Sequence, residues 1–405
     1  GTKGFSREGE VSESEVSEGD VTGHGLAVGE PVSFRVEISD EEIADLRRRL
    51  EHTRWPDPEP VDDWSQGVPL DYVRDLCQWW ARDYDMGLAD RVNAFDQVKV
   101  DIDGLGFHAI HARSAEPDAL PLVLTHGWPG SVVEFLDVIG PLTDPVAHGG
   151  DAGDAFHVVA PSLPGYGWSD KPTETGWGLD RIAAAWRALM GVFGYERYVA
   201  QGGDWGSGVT STLGALGEGG PVAIHLNMPF AFPDPDTMDD LTPTETAALA
   251  DMMEHAESGM GYSSQQSTRP QTLGYGLADS PAGQLAWIVE KFWAWTDHAG
   301  TPDSALSRTQ MLDDVSAYWF TDTAASSARL YWQDFKKLQA PSAISVPVGV
   351  TVFPREIIRP SRRWAEKAYP TLAWFEEVEA GGHFAALEQP EIFVDQLRRY
   401  FRQFR

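Results

Sequence analysis

The stretch QGGDWGSG, residues 201–208, places one carboxylate, Asp204, in a run of glycines directly after the short apolar segment RYVA. Gly202 and Gly206 flank Asp204 in the pattern small–x–Asp–x–small, which is typical of a strand-to-helix turn that presents a nucleophile. Side chains two residues from the nucleophile would collide with the adjacent strand and helix, so both positions favour glycine. A helix N-cap aspartate is the alternative interpretation of this turn.

Short β-branched apolar segments without polar alternation lie on both sides of this turn. They include LPLVLTHG, AFHVVAPS, PVAIHLNMP and PVGVTVFP, and helical stretches such as DRIAAAWRALMGVFG separate several of them. Buried parallel strands that alternate with helices predict an α/β fold with a mostly parallel, doubly wound sheet. Such sheets bind ligands beyond the carboxyl ends of their strands, where these segments end in Gly, His, Asp or Pro.

The composition changes along the chain predict five regions. Residues 1–30 are rich in Gly, Ser and Glu and are expected to form a disordered arm. Residues 31–95 are expected to form a helical N-terminal extension. Core strands are expected in residues 96–229 and 339–405, and the aromatic-rich residues 230–338 should form a helical cap inserted between them.

The chain is strongly acidic, with a formal net charge of −31 over 405 residues. That charge repels phosphate backbones and anionic lipids, so nucleic acid and membranes are not expected as partners. No segment approaches the roughly 18 apolar residues that span a bilayer, and no apolar leader is present, which predicts a cytoplasmic protein. The single cysteine, Cys77, lies in an amphipathic pattern that predicts a buried structural thiol, and no Cys/His cluster has zinc-ligand spacing.

The segment LTHGWPGS, residues 124–131, follows another buried strand. A His-Gly-x-Pro turn at this point can supply a backbone donor to an oxyanion, here the N–H of Trp128, with the N–H of Trp205 as the second donor. The Trp128–Pro129 bond is a candidate cis peptide. An ordinary strand-to-helix turn is the alternative, and His126 is expected to make structural hydrogen bonds rather than to act as a base.

A histidine and an acid complete the predicted catalytic set. His383, in VEAGGHFAALEQP, follows an apolar segment and precedes the C-terminal helix, as the chain order nucleophile, acid, histidine requires. Glu356 is the first carboxylate after PVGVTVFP and is our choice for the acid, although a surface carboxylate at a helix start fits the same position. Asp313 and Asp314, within the cap, are weaker alternatives.

We expect Asp204 rather than Ser207 to be the nucleophile, because the residues two positions before and after Ser207, Trp205 and Val209, are too bulky for such a turn. The loop PSLPGYGWSD is expected to face the substrate. The predicted substrate-binding residues are Trp128, Pro129, Trp205 and Tyr166.

Taken together, HGWPGS, GGDWGS, FPRE and GGHFAALEQP closely resemble the microsomal-type epoxide hydrolases of the α/β-hydrolase superfamily. The resemblance extends from about Pro31 to the C-terminus and includes EISDEEIADLRRRLEHTRWP and the cap stretch GYSSQQSTRPQTLGYGLADSPAGQLAWIVEKF. It implies an enzyme that converts a small-molecule epoxide and water to a vicinal diol, without a metal or an organic cofactor. The membrane anchor of the mammalian members has no counterpart here, which implies a soluble bacterial member.

The resemblance also assigns two cap tyrosines that donate hydrogen bonds to the epoxide oxygen. They match Tyr262 in SGMGYSSQQSTRP and Tyr331 in SSARLYWQDF, with Tyr275 and Tyr318 as the alternatives. In the implied mechanism Asp204 attacks a ring carbon and forms an ester. Water activated by the histidine then hydrolyses that ester.

Two other functions compete with this interpretation. A haloalkane dehalogenase shares the aspartate turn followed by Trp, but it commonly has Asn to hold halide where this chain has Trp128. A non-catalytic binding protein on the same fold is the third hypothesis. The aromatic cap segments FWAWTD, YWF and LYW suggest a bulky or aryl epoxide. The sequence leaves open a homodimer and a role in detoxification, catabolism or natural-product biosynthesis.

Overall fold

The computed structural model describes residues 25–339 and 343–405. The predicted arm, residues 1–30, therefore lies outside the described residues except for its last six. Within those six, Val28 bridges Ile102, and the N–H of Gly29 donates to the carbonyl of Asp101 over 2.8 Å. Residues 27–29 thus run along the edge of the sheet.

The described residues form one nine-stranded sheet. Its strands are β1 (Val32–Phe34), β2 (Gln97–Ile102), β3 (Leu105–Ala112), β4 (Leu120–Thr125), β5 (Phe156–Pro161), β6 (Val199–Gly202), β7 (Ile224–Leu226), β8 (Val348–Val352) and β9 (Leu372–Glu377). Their order is β1-β2-β3-β5-β4-β6-β7-β8-β9, antiparallel from β1 to β5 and parallel from β5 to β9. The mostly parallel sheet predicted from the sequence is confirmed.

Helices cover both faces of the sheet. They are α1 (Asp40–Glu51), α2 (Leu70–Arg82), α3 (Leu88–Val92), α4 (Leu136–Thr143), α5 (Leu179–Val192), α6 (Trp205–Gly214), α7 (Pro243–Glu254), α8 (Gly261–Thr268), α9 (Pro270–Asp279), α10 (Pro281–Trp295), α11 (Arg308–Thr321), α12 (Ala324–Leu338), α13 (Arg362–Ala368), α14 (Ala385–Glu388) and α15 (Pro390–Phe401). The region expected to be a helical extension, residues 31–95, begins with the edge strand β1 and continues with α1 to α3.

Alternating side chains of the central strands enter two hydrophobic cores. Val123 and Ala200 pack on one face with side chains of α5 and α6, whereas Leu122, Leu124 and Val199 pack on the other with side chains of α4 and α15. Parallel strands buried on both faces are therefore continuously apolar, which is the pattern that the sequence shows.

The six helices α7 to α12 follow β7 in the chain and precede β8. Because β6, β7 and β8 are parallel neighbours, their carboxyl ends lie on the same side of the sheet. The insertion after β7 therefore leaves the sheet on the same side as the turn that follows β6. The N-terminal extension packs against it: the indole of Trp80 donates to Ser316 over 3.0 Å, and Arg91 pairs with Asp313 at 2.6 Å.

Two further properties concern the described ranges as a whole. Cys77 is a buried, unbridged thiol on α2, as its helical pattern predicts. Across residues 25–339 and 343–405, no helix has both the length and the apolar character needed to traverse a bilayer.

Candidate active site

Asp204 lies on the sharp turn between β6 and α6, with a φ of +51° and a ψ of −129°. Few residues other than glycine adopt a positive φ. Such a backbone conformation costs about 1–3 kcal/mol of folding free energy, which the surrounding structure must offset. A Cβ on Gly202 would lie 2.0 Å from the carbonyl oxygen of Gly206, and a Cβ on Gly206 would lie 1.9 Å from that of Thr125. Both glycines are therefore required by close backbone contact.

Asp204, His383 and Glu356 form a continuous buried chain of polar contacts. Oδ2 of Asp204 lies 3.2 Å from Nε2 of His383, and Nδ1 of His383 lies 2.7 Å from Oε1 of Glu356. The side chains are 12%, 3% and 0% exposed, respectively. The structure thus brings together the three residues that the sequence selected from distant segments.

The protonation of His383 depends on its two carboxylate neighbours. Burial alone would lower the pKa of His383, but the carboxylates of Glu356 and Asp204 outweigh that effect and raise the pKa well above its usual value. The imidazole is therefore protonated in the resting enzyme. Any reaction that removes the charge of Asp204 also removes one of the two groups that hold this proton.

The second oxygen of Asp204 is held from the opposite side. The backbone N–H of Trp128 donates to Oδ1 over 2.8 Å, and the Trp128–Pro129 peptide is cis. The N–H of Trp205 belongs to the first residue of α6, where a helix offers no internal acceptor. The Trp128 N–H thus contacts Asp204, and the Trp205 N–H, directly after Asp204 in the chain, remains the predicted second donor.

His126 makes structural contacts, as expected. Its Nε2 accepts from the N–H of Leu163 over 3.1 Å, and its Nδ1 lies 2.9 Å from the carbonyl oxygen of Gly127. Burial lowers the pKa of His126 to about 4, so the ring is neutral and can connect the two loops beside Asp204.

The cap covers Asp204 with aromatic rings. Tyr262, on α8, stacks on Trp128 with 5.1 Å between ring centroids, and Tyr331, on α12, lies 5.1 Å from the ring of Trp205. The two tyrosine rings are 5.8 Å apart. Burial, together with the nearby carboxylate of Asp204, raises the pKa of both phenols, so both are protonated donors at neutral pH.

The alternative tyrosines lie in other surroundings. Tyr275 is 70% exposed. The hydroxyl of Tyr318 donates to the carbonyl of Gly130 over 2.7 Å. Tyr166, predicted to bind substrate, is buried beside His126 with 5.4 Å between ring centroids.

The alternative nucleophile and acids are also engaged elsewhere. The hydroxyl of Ser207 donates to the carbonyl of Met228 over 2.6 Å. Asp313 pairs with Arg91, and Asp314 accepts from the hydroxyl of Ser131 over 2.7 Å. Of the candidate acids, it is Glu356 that contacts His383.

Sequence reasoning missed three residues that surround this arrangement. Trp295 packs on His383 with 4.8 Å between ring centroids, and Lys291 lies on the same helix. Glu134 lines a small cavity beside the triad. A lysine within the apolar run WIVEKFW was an available signal, whereas nothing in the sequence distinguishes Trp295 from the many cap tryptophans.

A cavity of about 20 Å³ lies directly against the triad. That volume holds about one water molecule. Its polar lining side chains are those of Asp204, His383, Glu134, Gln201 and Asn227, together with Thr125 and His126. In the part of the chain that the structure describes, no three His, Cys, Asp or Glu side chains are arranged to hold a metal ion.

Several known proteins are similar to this chain in sequence and in structure. Residues 31–135 match the family described as epoxide hydrolase N terminus, and residues 121–223 match the alpha/beta hydrolase fold. The chain is 53% identical to a Stigmatella aurantiaca protein provisionally named an epoxide hydrolase, over 92% of this chain and 85% of that protein. It is 32% identical to epoxide hydrolase 1 of Sus scrofa, over 91% of this chain and 87% of that one. The solved structure of Aspergillus niger epoxide hydrolase superposes with a TM-score of 0.84 at 32% identity, covering 92% of this chain and 96% of that chain.

Proposed function

The chain belongs to the microsomal-type epoxide hydrolase family on the α/β-hydrolase fold and hydrolyses epoxides, and we propose that it does so through a covalent ester on Asp204. The observation that carries this proposal is the position of the Asp204 carboxylate. One of its oxygens is 3.2 Å from Nε2 of His383, and the other accepts the N–H of Trp128 over 2.8 Å. A simple helix N-cap would not require this set of partners.

In the first step, a carboxylate oxygen of Asp204 attacks one ring carbon, and the bond from that carbon to the epoxide oxygen breaks. An alkoxide is a poor leaving group, so the departing oxygen needs a hydrogen-bond donor or an acid. Tyr262 and Tyr331 fill that role in the proposal because their buried, protonated phenols belong to the cap directly above Asp204. The product is an alkyl ester on the enzyme.

In the second step, water attacks the ester carbonyl. Esterification removes the charge of Asp204, so the pKa of His383 falls, and its Nε2 proton passes to the alkoxide formed in the first step. The neutral Nε2 then accepts a proton from the attacking water. The bond between Cγ of Asp204 and the alkyl oxygen breaks, His383 gives its proton to that oxygen, and the diol leaves; the carboxylic acid of Asp204 then returns a proton to His383. Glu356 holds the Nδ1 proton and thereby orients the ring. The cavity beside the triad is the proposed position of the attacking water.

The oxyanion that forms in this second step needs donors on the side opposite the histidine. The N–H of Trp128 already contacts Oδ1, and the N–H of Trp205 is the second proposed donor. Loss of one such donor costs other enzymes about 2.7–4 kcal/mol of transition-state stabilisation.

An aspartate nucleophile suits an epoxide better than a serine does. Attack by serine would leave an ether that water cannot cleave, whereas attack by Asp204 leaves an ester that the same site can hydrolyse. A haloalkane dehalogenase would use the same ester, but it commonly holds the halide with an Asn at the position of Trp128, whose ring here packs against Tyr262 and Tyr331.

The proposed substrate is a bulky or aryl epoxide. The rings of Trp128, Tyr262, Tyr331 and Trp295 offer apolar faces above the carboxylate. A cytoplasmic, bacterial enzyme, acting alone or as a homodimer, remains our prediction.

The test of the function is a comparison of two products. The purified protein is incubated with styrene oxide and, separately, with a bromoalkane of similar size, and diol and free bromide are measured. We expect diol without bromide. Bromide release at a comparable rate would favour a dehalogenase, and turnover of neither compound nor of a wider panel of aryl and alkyl epoxides would favour the binding protein.

A further inference from the structure

A buried lysine without an assigned role lies against Tyr262, one of the two proposed donors to the epoxide oxygen. Lys291, on α10, has a side chain that is 4% exposed. Its Nζ lies 4.5 Å from the ring centroid of Tyr262 and 5.6 Å from that of Trp295. Lysine is among the residues least often fully buried, because its charge must leave water. The position of this ammonium over the rings of Tyr262 and Trp295 therefore indicates a function beyond packing.

Burial lowers the pKa of Lys291, and the carboxylate of Glu290 opposes that shift. Glu290 lies beside it, with Oε1 3.0 Å from Nζ, which offsets part of the cost of burial. His255, from the turn that precedes α8, is a second titratable neighbour, and burial, the charge of Lys291 and His383 lower the pKa of His255 to about 4. His255 is thus neutral at pH 7 and does not repel the ammonium, which contacts the carboxylate of Glu290 and the ring of Tyr262.

We propose that Lys291 is a positioning residue that strengthens Tyr262 as a proton or hydrogen-bond donor during epoxide ring opening. A cation over the face of an aromatic ring is attracted by the electrons of that ring. When the phenol shares its proton with the departing oxygen, the ring becomes richer in electrons and the attraction increases. An interaction that is stronger in the transition state than in the ground state accelerates the step. This inference rests on the proposed role of Tyr262.

The inference predicts an effect on one of the two chemical steps. Ring opening involves Tyr262, whereas hydrolysis of the ester involves His383 and Glu356. Removal of the Lys291 charge should therefore slow ring opening about tenfold, the order of magnitude of a desolvated cation–π contact. The dissociation constant of the substrate and the rate of ester hydrolysis should change less than twofold.

The experiment uses single-turnover kinetics with enzyme in excess over styrene oxide, following ester formation and decay by tryptophan fluorescence. Lys291→Met and Lys291→Gln remove the charge in an apolar and a polar form, so that a folding defect in one does not end the test. Lys291→Arg keeps the cation and should recover most of the ring-opening rate. Arg181→Met is the matched control. Arg181, on α5, lies 4.0 Å from the ring of Trp177 in the preceding loop, so this variant removes a cation from an aromatic ring other than that of Tyr262.

Tyr262→Phe, alone and combined with Lys291→Met, separates this inference from the proposed function. If Lys291 acts through Tyr262, Lys291→Met should have no further effect on ring opening once the phenol is absent. Slower ring opening in Tyr262→Phe but not in Lys291→Met would overturn the inference alone. Unchanged ring opening in Tyr262→Phe would overturn the proposed role of the tyrosine. Equal losses in both steps, with a lower Tm, would show that Lys291 has only a structural role.

Discussion

Replacing Gly206 by alanine tests whether the turn that carries Asp204 depends on close backbone contact. The added Cβ would lie 1.9 Å from the carbonyl oxygen of Thr125 and 2.6 Å from its carbon. Both atoms belong to backbone at the end of β4, so neither can rotate away. To reach even 3.0 Å, the start of α6 and the end of β4 must separate by about 1.1 Å.

That separation would act on the chemistry as well as on stability. Thr125 is three residues before Trp128, whose N–H holds Oδ1 of Asp204 over 2.8 Å. A misplacement of about 1 Å in an active site can cost about 10²-fold in rate. Overpacking of a well-packed interior typically costs about 1–3 kcal/mol of folding free energy. We therefore expect Gly206→Ala to lose about two orders of magnitude in kcat and about 1–3 kcal/mol of stability.

The assay combines initial rates of diol formation with urea unfolding of the same preparation. Gly191→Ala, inside helix α5, is the matched control, because nothing lies within 4 Å of its added Cβ. Alanine is preferred over glycine in helices by about 0.5–1 kcal/mol, so this variant should keep its activity and gain a little stability. A Gly206→Ala enzyme with parental kcat and stability would refute the reasoning.

The remaining predictions concern the two chemical steps. His383→Gln should still form the ester but not hydrolyse it, so intact-protein mass spectrometry should show an increase equal to the substrate mass; no adduct with a substrate that the parent turns over would contradict the two-step scheme. Tyr262→Phe and Tyr331→Phe should each slow ring opening, by up to about 10²-fold, and leave ester hydrolysis nearly unchanged, as followed by stopped-flow fluorescence. The rate of ester hydrolysis should rise with pH as His383 loses its proton, with a midpoint below the pKa of His383 in the resting enzyme, because Asp204 then no longer carries a charge. If the midpoint of ester hydrolysis equalled the pKa of His383 measured by NMR in the resting enzyme, the charge of Asp204 would not be what raises the pKa of His383.

Much of the fold, and the meeting of Asp204, Glu356 and His383, could be predicted because the signals are local. Five apolar segments of the sequence correspond to β4, β5, β6, β7 and β8. The glycines beside Asp204 are required by contacts within one turn. Once the strand order of this fold is assumed, Glu356 and His383 follow from their places after a strand, and the structure brings both to Asp204.

Features that depend on contacts between distant segments could not be predicted in this way. The edge pairing of Val28 with Ile102 joins a segment with no strand pattern to a hairpin more than seventy residues away. Lys291 and Trp295 lie on a helix whose residues are apolar on most sides, so helical periodicity does not show which of them face Asp204. Tyr262 and Tyr331 were selected by family resemblance, because a tyrosine in a cap helix has no local signal of its role.

The most direct test of the covalent ester on Asp204 is to measure which product of the first turnover contains the oxygen of water. One turnover is run in heavy-oxygen water with enzyme in excess, and the peptide that contains Asp204 and the diol are both analysed by mass spectrometry. Enzyme kept in the same water without substrate is the control. A covalent ester predicts one heavy oxygen in the Asp204 side chain and an unlabelled diol. Label in the diol, with none in Asp204, would show that water attacks the epoxide directly and would contradict the account.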